Sequence, residues 1–400
     1  MSQGISVDHG EEAAPEPSRS FCNLRRTTTM VANATVIAAP AWPATMSDVQ
    51  AATIVGLPIL SLVLIYVFLR IVWKPVEATK AESLPLQTKD AEPVAAAIEE
   101  GEVAGDYEAP WTQTFDLVFT IGLGLYLVVL LVLTYFYHVE YFTTPAFWYS
   151  QIPKVLCMMF VSLLGGLICR AYCDVDEKGY IITNKNSAFK VNYTRKLQHF
   201  AAYMVPLVIH TSFSGPLALA WGDLFTMIGF FVLIKPIREA SKFFMLQFNS
   251  LDRPEDRPNT LLWIIAGNIA PGLFILMFFK WLFASNGDLV FIIVFITGIG
   301  DGLAEPVGIM WGKHKYKTRA LFSTRKYTRS WEGSACVFLS GMIFPALQYA
   351  NFDNFTQVLT AMLILPPTMA YAEAIAPHTM DTPVLMVGCG IILYAITTYL

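Results

Sequence analysis

The chain of 400 residues is 55% hydrophobic and only 14% charged, a balance that excludes a soluble globular protein of this size and points to repeated membrane crossing. A net charge of −4, with lysine and arginine gathered in a few short segments, excludes a basic stripe for nucleic acid and leaves membrane lipids and small anions as expected partners. Six cysteines, Cys22, Cys157, Cys169, Cys173, Cys336 and Cys389, lie mostly in or beside apolar segments without CxxC or Cys/His ligand spacing, and read as small apolar fillers.

Residues 1–50 are polar and rich in Pro, Ser, Thr and Ala, the composition of a flexible lead. Arg25 and Arg26 among hydroxyl residues suit a targeting peptide, whereas Asp8, Glu11, Glu12 and Glu16 oppose one. Ten apolar stretches then approach the length that crosses a hydrocarbon layer of about 30 Å. They are 52–73, 117–138, 153–172, 197–213, 216–234, 261–283, 289–311, 334–350, 355–372 and 383–400. A single transmembrane helix at 51–73 is set off by 74–110, an acidic, Pro- and Ala-rich stretch without apolar periodicity that reads as a disordered linker. Residues 111–400 then form a polytopic membrane domain, the part of the chain expected to carry any activity. The expected fold class is all-α, an integral membrane protein with about ten transmembrane helices.

Short loops rich in Lys and Arg stay on the cytoplasmic side. With ten spans, the segments 174–196, 235–260, 312–333 and 373–382 share one face with the linker and carry most of the basic residues. The opposite loops, 139–152, 214–215, 284–288 and 351–354, are short and nearly free of them. That asymmetry puts the charged face in the cytosol or stroma and both termini on the other side.

"GIGDGLAEPVG", Gly298–Gly308, places two carboxylates directly after an apolar run. Asp301 and Glu305 are four residues apart and share one helix face. A charge within a membrane costs at least about 2.5–3.5 kcal/mol, so such residues face a cavity or a partner. The plainer reading is a carboxylate pair at the membrane edge beside Lys313. Behind it, however, runs "GKHKYKTRALFSTRKYTRSWEGS", Gly312–Ser334, with Lys313, Lys315, Lys317, Arg319, Arg325, Lys326 and Arg329, ending in Ser330, Glu332, Gly333 and Ser334. Carboxylates can hold Mg²⁺ while Lys and Arg neutralise the phosphates it bridges, so the combination suits a nucleoside triphosphate at a membrane surface. Two further polar clusters reach the same face: Arg195, Lys196 and His199 in "RKLQHF", and Glu373, His378 and Asp381 in "AEAIAPHTMDTP".

Together, "GDGLAEPVGIMWGK", "RSWEGS", "YAEAIAPHTMDTPV" and "RKLQH" resemble, in order and approximate spacing, segments of the CTP-dependent polyprenol kinases, above all phytol and farnesol kinases and more distantly dolichol kinase. The likeness covers about residues 190–400. It implies transfer of the γ-phosphoryl of CTP to a membrane isoprenoid alcohol, in an endoplasmic reticulum or plastid membrane, with Mg²⁺ at Asp301 and Glu305. Carried over position by position, it implies a CTP loop from Lys313 to Glu332, including Arg319, Lys326, Arg329, Ser330 and Gly333. Lys196, His199, Glu373, His378 and Asp381 would complete the site. Glu305, His199 and Asp381 remain open as the base that takes the hydroxyl proton. The basic loop is longer than the family's compact turn, and Asp381-Thr382 stands where the family has Asp-Asn. The chain contains no GxxxxGK[ST] loop and no HRD…DFG set, which argues against the mechanisms those motifs serve. Two other readings stay in view: a CTP:phosphatidate cytidylyltransferase, and a non-catalytic transporter or scaffold whose buried charges line an ion path.

Overall fold

The computed structural model describes residues 42–73, 110–182, 189–209, 213, 215–321, 326–377 and 380–400. The linker is thus outside the described residues except at Pro110, as are most of the N-terminal lead and His378.

The described chain is mostly helical. Ser47 starts the first helix, α1 (Asp48–Val72), with a capping box closed by Gln50, its hydroxyl accepting from Gln50 N. Next come α2 (Pro110–Tyr137), α3 (Pro145–Tyr172), a minimal antiparallel pair β1 (Asp174–Val175) and β2 (Ile181–Ile182), α4 (Val191–Val208) and α5 (Pro216–Phe231). Two short helices, α6 (Lys235–Ala240) and α7 (Lys242–Asn249), lead into α8 (Thr260–Leu282) and α9 (Asn286–Met310). An antiparallel hairpin, β3 (Lys315–Arg319) and β4 (Lys326–Ser330), precedes α10 (Trp331–Leu347), α11 (Phe355–Ile375) and α12 (Asp381–Tyr399).

Among the described residues, seven helices are long and apolar enough to cross a membrane: α1, α2, α3, α8, α9, α11 and α12. Leu217–Phe231 of α5 and the whole of α10 are apolar but shorter. The fourth stretch read from the sequence, 197–213, overlaps the C-terminal part of α4 over 197–208, and the first turns of that helix carry Arg195, Lys196 and His199. A multi-pass, predominantly helical membrane protein is therefore the architecture.

The core explains why α9 can carry charge. In α9, 67% of the apolar window is buried, against 6% in α1, so α9 is the central helix and α1 lies at the lipid-facing edge. Ile292, Ile293 and Ile296 of α9 meet Val337 of α10, Met362 and Leu365 of α11, and Leu385 and Leu393 of α12 in one cluster. A carboxylate on such a helix is surrounded by protein rather than lipid, and its cost is met by neighbouring donors. Where Asp301 is reached, Ile296–Asp301 widens into a π-helical turn, a local device frequent at functional sites. Close packing there demands glycine: a Cβ on Gly300 would collide with Ser340 Oγ of α10, and one on Gly298 would come within 2.8 Å of Tyr203 Cβ of α4.

Although the sequence sets 51–73 apart by a long linker, α1 packs along α10, with Ile54 inside the main core. At one end Trp42 Nε1 donates to the Tyr349 carbonyl at 3.2 Å.

Candidate functional site

Three elements bring the buried charges together. Asp301 is 2% exposed, and its Oδ2 accepts from Lys196 Nζ of α4 at 3.0 Å. His199, one turn along α4, places Nε2 3.7 Å from the same oxygen and 3.1 Å from the Thr297 carbonyl, to which it donates. Glu305, one turn beyond Asp301, has Oε2 3.9 Å from Lys196 Nζ. The i,i+4 spacing on α9 and the i,i+3 spacing on α4 thus make two facing rows with one ammonium between two carboxylates.

Glu305 is also held from a third direction. Its Oε1 accepts from Asn192 Nδ2 at 2.5 Å and from Arg253 Nη1 at 3.3 Å. Arg253 is itself buried against Asp256, with Nε at 2.9 Å and Nη2 at 2.8 Å from Oδ2, and Arg195 pairs with the same carboxylate. Neither Asn192 nor Arg253 is among the residues the sequence singles out, because "LDRPEDRP" looks like any charged loop. Only the folding of that loop under α4 aims Arg253 at α9.

The segment read as a basic loop is a hairpin. "KYKTR" pairs with "KYTRS", Lys315 opposite Ser330 and Arg319 opposite Lys326; in β3 exposed cations alternate with half-buried Tyr and Thr, and in β4 exposed Lys326 and Thr328 alternate with half-buried Tyr327 and Arg329. That period of two was visible in the sequence and is what marks a strand. Ser330 ends the hairpin and caps α10, its Oγ accepting from Gly333 N at 3.1 Å. Tyr316 and Ser334 share a 2.6 Å hydroxyl contact, and Leu321 N donates to the Ile375 carbonyl at the end of α11.

Between the hairpin, α9, α10 and α11 lies a cavity of about 260 Å³, lined by Glu305, Gly308, Lys315, Thr328, Arg329, Ser330, Gly333 and Glu373 among others. Arg329 Nη1 pairs with Glu373 Oε1 at 3.1 Å, and its Nε is buried with no hydrogen-bond partner among the described residues. Burial disfavours that guanidinium's charge, yet the neighbouring carboxylates, Glu373 foremost, hold its pKa above the ordinary arginine value. An unsatisfied donor on Arg329, a second cation at Lys315 and the N-terminus of α10 at Gly333 face the cavity together with two acids, Glu305 and the Glu373 that pairs with Arg329.

Of the residues expected from the sequence, Asp301, Glu305, Lys196 and His199 form one cluster, and Arg329, Ser330, Gly333 and Glu373 line the adjoining cavity. Asp381 begins α12, accepts from Thr382 N at 2.9 Å and acts electrostatically on Lys196, Asp301 and Arg329. Lys313, Arg319 and Lys326 are exposed and do not line the cavity. Glu332 is buried, but its carboxylate is turned to the root of the hairpin, accepting from Lys313 N at 2.9 Å and His314 N at 3.3 Å.

A divalent cation at Asp301 and Glu305 would find two hard carboxylate oxygen donors. No group of three or more His, Cys, Asp or Glu suited to a metal occurs among the described residues. Two carboxylates fit the habit of Mg²⁺, which takes one or two from the protein and the rest from phosphate and water. No family model, curated protein or solved structure matches the chain.

Proposed function

We propose that the protein is a membrane lipid-alcohol kinase that transfers the γ-phosphoryl of CTP to the hydroxyl of an isoprenoid alcohol of the phytol, farnesol, geranylgeraniol or dolichol type. The observation that carries this reading is a carboxylate pair, Asp301 buried and Glu305 half-buried, bound to Lys196 and Arg253 beside a cavity whose Arg329 keeps an unpaired donor. The segments that resemble polyprenol kinases are the ones that line or adjoin this place. We further propose ten crossings, the shorter α5 and α10 and the end of α4 adding to the seven long helices, with the hairpin face toward the cytosol or stroma. The host membrane is the endoplasmic reticulum or plastid.

In this mechanism Arg329 and Lys315 bind the phosphate chain in the cavity, and the N-terminus of α10 adds its backbone dipole. Asp301 and Glu305 would hold Mg²⁺, and that ion would supply positive charge to offset the phosphates. Lys196 lies within reach of both carboxylates and would move its ammonium to a phosphate oxygen. The alcohol oxygen attacks the γ-phosphorus, the bond from that phosphorus to the β-bridging oxygen breaks, and CDP leaves. The hydroxyl proton passes to a nearby base. Glu305, engaged by Asn192, Arg253 and Lys196, is poorly suited to that task, which favours His199 or Asp381.

The test is to supply membranes carrying the protein with CTP labelled at the γ or the α position, together with phytol, farnesol, dolichol or phosphatidate. Label moving from the γ position onto an alcohol is expected. Label moving from the α position into lipid would replace this reading with the cytidylyltransferase, and no transfer with Mg²⁺ present would favour a transporter or scaffold.

A further inference from the structure

The site just described leaves out the N-terminal helix, yet α1 ends against the root of the hairpin. The carbonyl of Trp73 accepts from His314 Nε2 at 2.6 Å, and its indole packs on the His314 ring with centroids 4.6 Å apart. The same indole meets Trp331, the first residue of α10, edge to face at 5.7 Å. His314 Nδ1 lies 2.8 Å from Glu332 Oε1. A peptide carbonyl and a carboxylate are both acceptors, so each ring nitrogen faces a hydrogen-bond acceptor. Glu332 in turn accepts the backbone N–H groups of Lys313 and His314, the two residues that enter β3.

We propose that the end of α1 is a positioning element for the β3–β4 hairpin: Trp73 holds His314, and His314 holds Glu332, at the point where one strand begins and α10 starts. His314 is 4% exposed and Glu332 is 6% exposed, so these are interior contacts and not a surface graze. The two ends of α1 are pinned separately, Trp42 to Tyr349 at the far end of α10 and Trp73 to His314 and Trp331 at its start. A helix fixed at both ends along α10 defines the angle at which the hairpin leaves α10. That angle sets where Lys315 and Arg329 stand over the cavity, because β3 begins one residue after His314 and β4 runs directly into α10. Trp73 and His314 touch no cavity-lining carboxylate themselves; they act through the strands.

The effect on nucleotide use rests on the donor reading above, whereas the clamp itself does not. The experiment therefore has two readouts on the full chain in lipid nanodiscs: hydrogen exchange of the β3 and β4 strand amides, and KM and kcat for CTP with an isoprenoid alcohol. Trp73→Ala and His314→Ala are expected to speed strand exchange about tenfold, as losing a buried ring contact and hydrogen bond allows. They should also raise KM for CTP several-fold with kcat kept, a split that mere loss of folded protein does not give. Trp73→Phe, which keeps an aromatic face, should restore both, and Trp42→Ala, which frees only the far end of α1, should leave strand exchange as in the wild type. Unchanged strand exchange in both alanine variants would overturn the proposal, as would equal acceleration by Trp42→Ala. If Trp73→Ala does not fold, His314→Ala decides by the same readouts. If the wild type transfers nothing from CTP, the donor reading fails and the exchange measurement still decides the clamp.

Discussion

Lys196 is the cation that Asp301 and Glu305 share, and it is largely enclosed by α9 and its own helix. Removing one member of a buried ion pair leaves an uncompensated charge, so Lys196→Met should destabilise the protein by about 3–5 kcal/mol. The double variant Lys196→Met/Asp301→Leu should regain most of that loss while remaining inactive; melting temperature and phosphoryl transfer in the same preparations check both halves. Asp301→Asn is milder, since the amide oxygen still accepts from Lys196. It should insert and fold as the wild type does yet lose transfer by at least about 10²-fold, the scale of a lost electrostatic contact to a transition state. At this scale the sequence was informative where spacing within one helix decides proximity, as for Asp301 with Glu305 and for Lys196 with His199. It was silent on Arg253 and Asn192, because their meeting with Glu305 depends on how far-separated segments fold over one another. It also could not place Asp223 of α5, which senses Lys154 of α3 in a sub-bundle away from the cavity.

Elements are where expectation and structure differ most. The stretch after α9 was legible as a concentration of positive charge, and charge was what suggested phosphate. A strand's period of two puts Arg329 on the half-buried face with Tyr327, whereas Lys317, Arg319 and Lys326 are exposed. Arg329→Ala should therefore raise KM for the nucleotide much more than Lys326→Ala does, a comparison that steady-state kinetics on the two variants makes directly. The glycines of "GIGDG" also act at this scale, by letting α9 approach α10. Gly300→Ala drives a methyl into Ser340 and should cost about 1–3 kcal/mol as overpacking, with Ser340→Ala in the same chain recovering part of it in a thermal melt.

For the whole molecule, the apolar stretches announced a helical membrane protein; ten were read from the sequence, and among the described residues seven helices are long and apolar enough to cross. Sequence hydropathy could not rank the helices by depth. α1 and α2 are as apolar as any, yet they are the most lipid-exposed, whereas α9 is less apolar and central. The reason is physical: a helix in lipid needs an apolar surface on every side, while one inside a bundle is free to spend a face on polar contacts. Sidedness is expected from the loop charges. In a background without native cysteines, Lys317→Cys in the hairpin and Asp353→Cys in the 351–354 loop should react with an impermeant maleimide from opposite sides of sealed vesicles, with Lys317→Cys on the cytosolic or stromal side.

The central claim is that the Asp301–Glu305 pair on α9 serves phosphoryl transfer to a lipid alcohol. Its most direct test uses purified wild type and Asp301→Asn, reconstituted with an isoprenoid alcohol, Mg²⁺ and γ-labelled CTP. The account predicts labelled alcohol phosphate and CDP in equal amounts from the wild type, and neither from Asp301→Asn at equal folded protein. Transfer by Asp301→Asn at the wild-type rate, or CMP entering the lipid with release of pyrophosphate, would contradict it.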